Sequence, residues 1–144
     1  MNRKTYPSTS SIIVRFRDLD AFGHVNNAVF LSYLEMGRAE YWKQVFGLKD
    51  YSKVDFILAH VSIDYRSPAY MGEVLKIYSR ISKIGAKSFD FQQEIREAET
   101  GRLVAEAVTT QVMYDYKMGR SKPISSDFRM RVSEFEKVSQ LDTL

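Results

Sequence analysis

The chain contains no cysteine, which excludes a disulfide framework, a thiolate metal cluster and a thiol nucleophile together. Histidine is scarce too, with two residues in 144, and no zinc-ligand spacing occurs, so no metal is expected. No run approaches the roughly 20 apolar residues of a membrane span. The opening MNRKTYPSTSS carries charge but no apolar stretch before a small-residue cleavage site, so a soluble, unprocessed, cytoplasmic protein is expected. There is no repeat, no low-complexity tract and no Pro/Gly/Ser linker, and a chain of this length closes one core unaided. One domain over residues 1–144 is the expectation.

Charge of one sign is also lacking. The 21 lysines and arginines are scattered among 18 acids, for a net charge of +3. That excess suits a small polyanionic ligand at least as well as nucleic acid, and no basic run with interleaved aromatics reads as a groove for single strands. Nucleic acid is not an expected partner. No Gly-rich phosphate loop is present either, which removes support for nucleoside triphosphate chemistry.

Apolar patterning is abundant. SIIVRFR, residues 11–17, places Ile12, Val14 and Phe16 at period two and predicts a strand. From Ala28 to Phe46 the period becomes helical, with Phe30, Leu31, Leu34, Tyr41, Trp42 and Val45 joined by Val29, Tyr33 and Met36. That distribution predicts a mostly enclosed helix, stopped by Gly47. Strand patterns follow at residues 56–65, 74–84, 88–97 and 103–116, and ETG at 99–101 reads as a hairpin turn. Phe128, Val132 and Phe135 predict a short final helix capped by Ser125 or Ser126. Four or five antiparallel strands and one apolar helix bury each other most simply as an α+β layer, the sheet curving around the helix.

Directly before that helix lies RDLDAFGHVNNAVFLSYLE, residues 17–35. A helix start offers unpaired backbone N–H groups and partial positive charge, so it can polarise a carbonyl oxygen. Here it is Asn26-Asn27-Ala28, preceded by Gly23-His24 and by Asp18 and Asp20. A carboxylate facing such amides is a minimal hydrolytic site, the acid attacking or activating water while the amides hold the oxyanion.

Each of these residues also has a structural reading. Asp20 suits a turn before Gly23, Asn26 and Asn27 are good caps, and Asp18 suits a hydrogen-bond anchor. Glu35 and Arg38, three apart, read as an ion pair within the helix, and His60 reads as structural.

The run VRFRDLDAFGHVNNAVFLSYLEMGRAEYW resembles the signature of the hotdog-fold acyl-CoA thioesterases of the 4-hydroxybenzoyl-CoA thioesterase family. It does so through Phe16, Asp18, Asp20, Gly23, His24, Val25, Asn26, Asn27, Glu35 and Arg38. The later RSPAYMGE and IGAKS are similar to the family's loops. The resemblance implies a hotdog fold, a helix wrapped by an antiparallel sheet, and a homodimer paired edge to edge with sites at the interface. A tetramer as a dimer of dimers follows from the same likeness. It further implies Asp20 as catalytic acid, by mixed anhydride or by general base, and a backbone N–H at Asn27 polarising the thioester.

His24 invites a general-base reading and stands with Asp20 and Asn27 among the catalytic candidates, although in the family's pattern it shapes the site; Gly23 and Asn26 are candidate substrate contacts. Arg66, Lys83, Lys87 and Ser88 are candidate contacts for coenzyme A, the alternative for each cation being a solvated surface charge. Coenzyme A belongs to the substrate, an acyl-CoA or acyl carrier protein thioester, and no separate cofactor is implied. Phe30, Leu31 and Leu34 are candidates to meet the acyl group. A hotdog dehydratase and a non-catalytic acyl-thioester-binding protein are the alternatives.

Overall fold

The computed structural model describes residues 5–47 and 55–142, the side chains beyond 137 excepted. Strand β1 is Ser8–Ile13, helix α1 is Val29–Phe46, and strands β2 Phe56–Tyr65, β3 Val74–Ile84, β4 Ser88–Glu97 and β5 Leu103–Asp115 follow. A short β6, Arg120–Ser121, and helix α2, Ser126–Asp142, complete the chain. The sheet runs β1-β3-β4-β5-β2 with every pairing antiparallel, and β6 adds to the end of β5. This is the hotdog arrangement: an antiparallel sheet curved about one long helix.

Alternation explains most of the sheet. In β4, Phe89, Phe91, Gln93, Ile95 and Glu97 face the helix while the residues between them stay half-exposed. Leu75, Ile77, Ser79 and Ile81 do the same in β3. Strand β2 breaks the pattern. Its register with β5 shifts between Leu58 and His60, and one extra residue reverses which parity faces inward. Phe56 therefore packs into one core cluster, whereas Ile63, of opposite parity, packs into the other. As the edge strand, β2 also leaves Ile57 and Leu58 exposed.

Two expectations need correction. The first strand runs Ser8–Ile13, its inward positions are Ser8, Ser10 and Ile12, and the serines hid its earlier half; the Arg15–Asp18 capping contacts then turn the chain out of the sheet. Phe16 instead sits in a short 3-10 turn at 79% exposure. Nor is α1 enclosed. Phe30, Tyr33, Leu34, Gly37, Arg38, Tyr41 and Trp42 form one buried stripe, while Leu31 and Met36 face outward, since a single sheet layer covers only one side. Gly37 lets the helix approach closely: a Cβ there would lie 2.5 Å from Ile77 Cγ2 and 2.8 Å from Gln93 Nε2. Arg38 turns in to donate to Gln93 Oε1 at 3.2 Å, and Glu35 lies on the exposed side. Ser125, rather than Ser126, caps α2 by accepting the Phe128 N–H at 3.1 Å.

Candidate active site

The loop from β1 into α1 is fixed residue by residue. Asp18 is buried and accepts from the Arg15 backbone and guanidinium and from the Tyr33 hydroxyl at 2.7 Å, which ties the loop to the helix. Burial alone would raise its pKa, but those hydrogen bonds and the Arg15 charge outweigh it and hold the carboxyl below its ordinary value. The anchor reading of Asp18 holds.

Asp20 begins a tight turn. Its N–H donates to His24 O, its carbonyl accepts from Gly23, and its Oδ1 accepts the Phe22 N–H at 2.8 Å. Gly23 supplies the positive φ of 86° that the turn requires. The other carboxylate oxygen, Oδ2, lies 3.3 Å from His24 Nδ1. His24 bridges to Tyr70, and Val25 donates to Ala69 O, so the turn is clamped against the segment after β2. Turn and candidate acid thus coincide in one residue.

The helix start follows at once. Asn26 Oδ1 accepts the Ala28 N–H at 2.9 Å, and Asn26 O accepts from Val29. Asn26 therefore acts as cap, although the N-cap position itself is Ala28. Among the described residues the Asn27 N–H donates to no acceptor, leaving one donor available at the positive end of α1.

Beside it opens a cleft of about 260 Å³ lined by His24, Val25, Asn27, Phe30, Tyr65, Arg66, Ser67 and Pro68. Asp20 is not in its wall and reaches it through the His24 ring. Arg66 is in the wall and pairs with Glu106 at 3.0 Å and Asp64 at 3.6 Å. The hydrogen bond to Glu106, then the two nearby charges, raise its pKa further. Of the three apolar candidates for the acyl group, only Phe30 lines the cleft; Leu34 is buried in the core and Leu31 faces out.

Lys83, Lys87 and Ser88 lie elsewhere. They flank the β3–β4 turn, nine or more residues along β3 from Val74, which places them about 30 Å from the Tyr70 end of the sheet. One chain does not bring them to the cleft. Tyr65 is the wall residue that sequence reasoning passed over; Ser67 and Pro68 lie in the RSPAYMGE loop that the sequence singled out without assigning them to the site. No group of three His, Cys, Asp or Glu able to hold a metal occurs among the described residues.

The fold is that of the hotdog thioesterases. The family model of the thioesterase-like superfamily matches residues 14–132, and the chain belongs to that superfamily, as a thioester hydrolase. It is 29% identical to the long-chain acyl-CoA thioesterase FadM of Escherichia coli, over 89% of this chain and 98% of that protein. It is 34% identical to the 1,4-dihydroxy-2-naphthoyl-CoA hydrolase of Nostoc punctiforme, over 71% and 70% respectively. A thioesterase of Thermus thermophilus solved with coenzyme A and zinc superposes with a TM-score of 0.84 at 30% identity, over 94% of this chain and 98% of that one.

Proposed function

We propose that this protein hydrolyses an acyl-CoA thioester to a free carboxylic acid and coenzyme A, with Asp20 as the essential carboxylate and the Asn27 N–H as oxyanion donor. The observation that carries this reading is the pairing of a clamped Asp20 turn with an unpartnered amide at the start of α1, Asn27 lining the cleft and Asp20 standing behind the His24 ring that lines it. Either water adds to the thioester carbon as the Asp20 carboxylate takes its proton, or Asp20 itself adds and the resulting mixed anhydride is then hydrolysed by water to the free acid, regenerating the carboxylate. The oxyanion is held by Asn27, and the carbon–sulfur bond breaks to release coenzyme A as thiolate. A thiolate leaves readily without a leaving-group acid, which is why so sparse a site suffices.

The 3.3 Å contact between Asp20 and His24 Nδ1 favours a second reading of the same site. In it the carboxylate orients the imidazole and His24 takes the proton from water. Loss of turnover in His24→Ala equal to that in Asp20→Asn supports the second reading; retained turnover in His24→Ala supports the first.

The remaining substrate contacts come from a second copy. Tyr65 and Arg66, in the cleft wall, end the exposed edge strand β2. Two copies paired antiparallel along β2 put the Phe56 end of one beside the Tyr65 end of the other. Ser88 is in register with Val112, and Val112 with Ile57, so the second copy's β3–β4 turn arrives about 15 Å from the cleft, three strand spacings away. There Lys83, Lys87 and Ser88 meet the phosphates of coenzyme A, while Gly23 and Asn26 border the thioester. The exposed Leu31 and Met36 on α1 support a further pairing of dimers into a tetramer. The signature around Asp20 supports placement with the 4-hydroxybenzoyl-CoA thioesterases. No helix among the described residues is long and apolar enough to cross a membrane, which is in keeping with a cytoplasmic enzyme.

The test is thiol release from short, long, branched and aromatic acyl-CoAs and from the matching carrier-protein thioesters. Release from acyl-CoA supports the reading and ranks substrates. Stoichiometric binding without release from either carrier overturns it in favour of a binding protein.

A further inference from the structure

Two peptide groups meet at Asn27, and three of their four polar atoms are occupied. The Asn26 carbonyl accepts from Val29, and the Ala28 N–H is held by Asn26 Oδ1. The Asn27 carbonyl has no helical donor, because Leu31 gives its N–H to Ala28 O instead. It accepts the Tyr65 hydroxyl at 2.9 Å. The fourth group is the unpartnered Asn27 N–H. Two of the three restraints are local; the third comes from 38 residues away.

We propose that Tyr65 is a positioning residue that fixes the Asn27 peptide from the end of the edge strand, so that the oxyanion donor is oriented before substrate arrives. The kinetic consequence rests on the thioesterase reading; the mechanical one does not. Tyr65 is well placed for this. It is the last residue of β2, pairs with Ala105 in β5, and its ring meets Phe30 edge-on at 5.5 Å, so backbone and ring are both held. The ring contact explains an aromatic here, and the hydroxyl adds the bond to the Asn27 carbonyl. A donor already aimed at the developing charge needs no reorganisation during reaction, and small displacements of such groups are costly. Because Tyr65 also ends the strand along which two copies pair, assembly and the oxyanion donor share one rigid connection.

The experiment compares wild type with Tyr65→Phe, which keeps the ring. Steady-state thiol release is measured together with the ¹H–¹⁵N resonance of Asn27 and hydrogen exchange at Ala28 and Val29. The expected result is a fall in kcat of about 10- to 100-fold with KM nearly unchanged. A shifted Asn27 resonance, faster exchange at Ala28 and an unaltered unfolding midpoint accompany it. An unchanged kcat overturns the proposal, as does a rise in KM that accounts for the whole loss, since Tyr65 would then be a substrate contact. If wild type releases no thiol from any acyl-CoA, the functional reading fails by itself and the Asn27 resonance decides: shifted, the positioning role stands; unmoved, it falls.

Discussion

The two ends of α1 are built on opposite principles. Near its C-terminus Trp42 is ringed by Phe46, Phe56, Phe89, Phe91 and Phe128, with centroids 5.4–5.7 Å away. Tyr41 beside it is fully buried and stacks edge-on with Phe91 and Phe135. At its N-terminus the packing gives way to a cleft, a tight glycine turn, a histidine and an amide without a partner. Close packing at one end supplies the stability that lets the other end stay open and polar. Sites that must bind and release cannot be packed like a core.

That contrast is most directly broken at Trp42. Trp42→Ala removes the centre of the aromatic cluster and is expected to cost about 3–5 kcal/mol of stability, read from denaturant unfolding by circular dichroism. Activity per folded molecule should stay near wild type, because no Trp42 atom reaches the cleft. A selective loss of turnover in folded protein would show that the two ends are not separable.

A smaller effect is expected at the β3–β4 turn, which belongs to the packed end of its own chain and which the proposed dimer brings to the cleft of the second copy. Lys83→Ala and Lys87→Ala should each raise KM for acyl-CoA several-fold, about 1 kcal/mol of binding, and leave kcat alone. If the proposed dimer forms, mixing Lys83→Ala/Lys87→Ala chains with Asp20→Asn chains should restore part of the activity at low substrate, since a mixed pair then holds one intact site. Unchanged KM in both single variants removes these lysines as contacts.

The smallest effect concerns pH. Glu136 of α2 accepts from the Tyr41 hydroxyl and from Ile81 N–H at the β3 bulge. Burial raises its pKa despite those bonds and the Arg80 charge. The folded state therefore binds this proton more tightly than the unfolded chain. Its contribution is most favourable at low pH and is lost as pH rises from the ordinary carboxylate value through the raised one. Glu136→Gln keeps an acceptor and removes the titration. The stability difference between wild type and variant should thus depend on pH only in that window, and a flat difference would contradict the assignment.

Much of this was legible before any coordinates. The Phe89, Phe91, Gln93 and Ile95 alternation, the helix stop at Gly47 and the final amphipathic helix follow from periodicity and turn chemistry alone. The Asp20–Gly23–His24 turn followed because each residue type suits its place. What stayed hidden depends on contacts between distant segments. Tyr65 looks like one more inward strand residue until its hydroxyl is seen on Asn27 O. The bulge near Ala59 leaves no composition signal, yet it decides which residues of β2 face the core. Leu31 reads as core on a helical wheel, but the single sheet layer never reaches it.

In the proposed mechanism Asp20 performs the chemistry at the start of α1. The most direct test is thiol release from acyl-CoAs by Asp20→Asn beside wild type, followed with a thiol-reactive dye, to which a cysteine-free protein adds no background. The expected result is rapid release by wild type and a loss of about 3–5 kcal/mol in transition-state stabilisation for the variant, with unfolding unchanged. Equal release by both would contradict it.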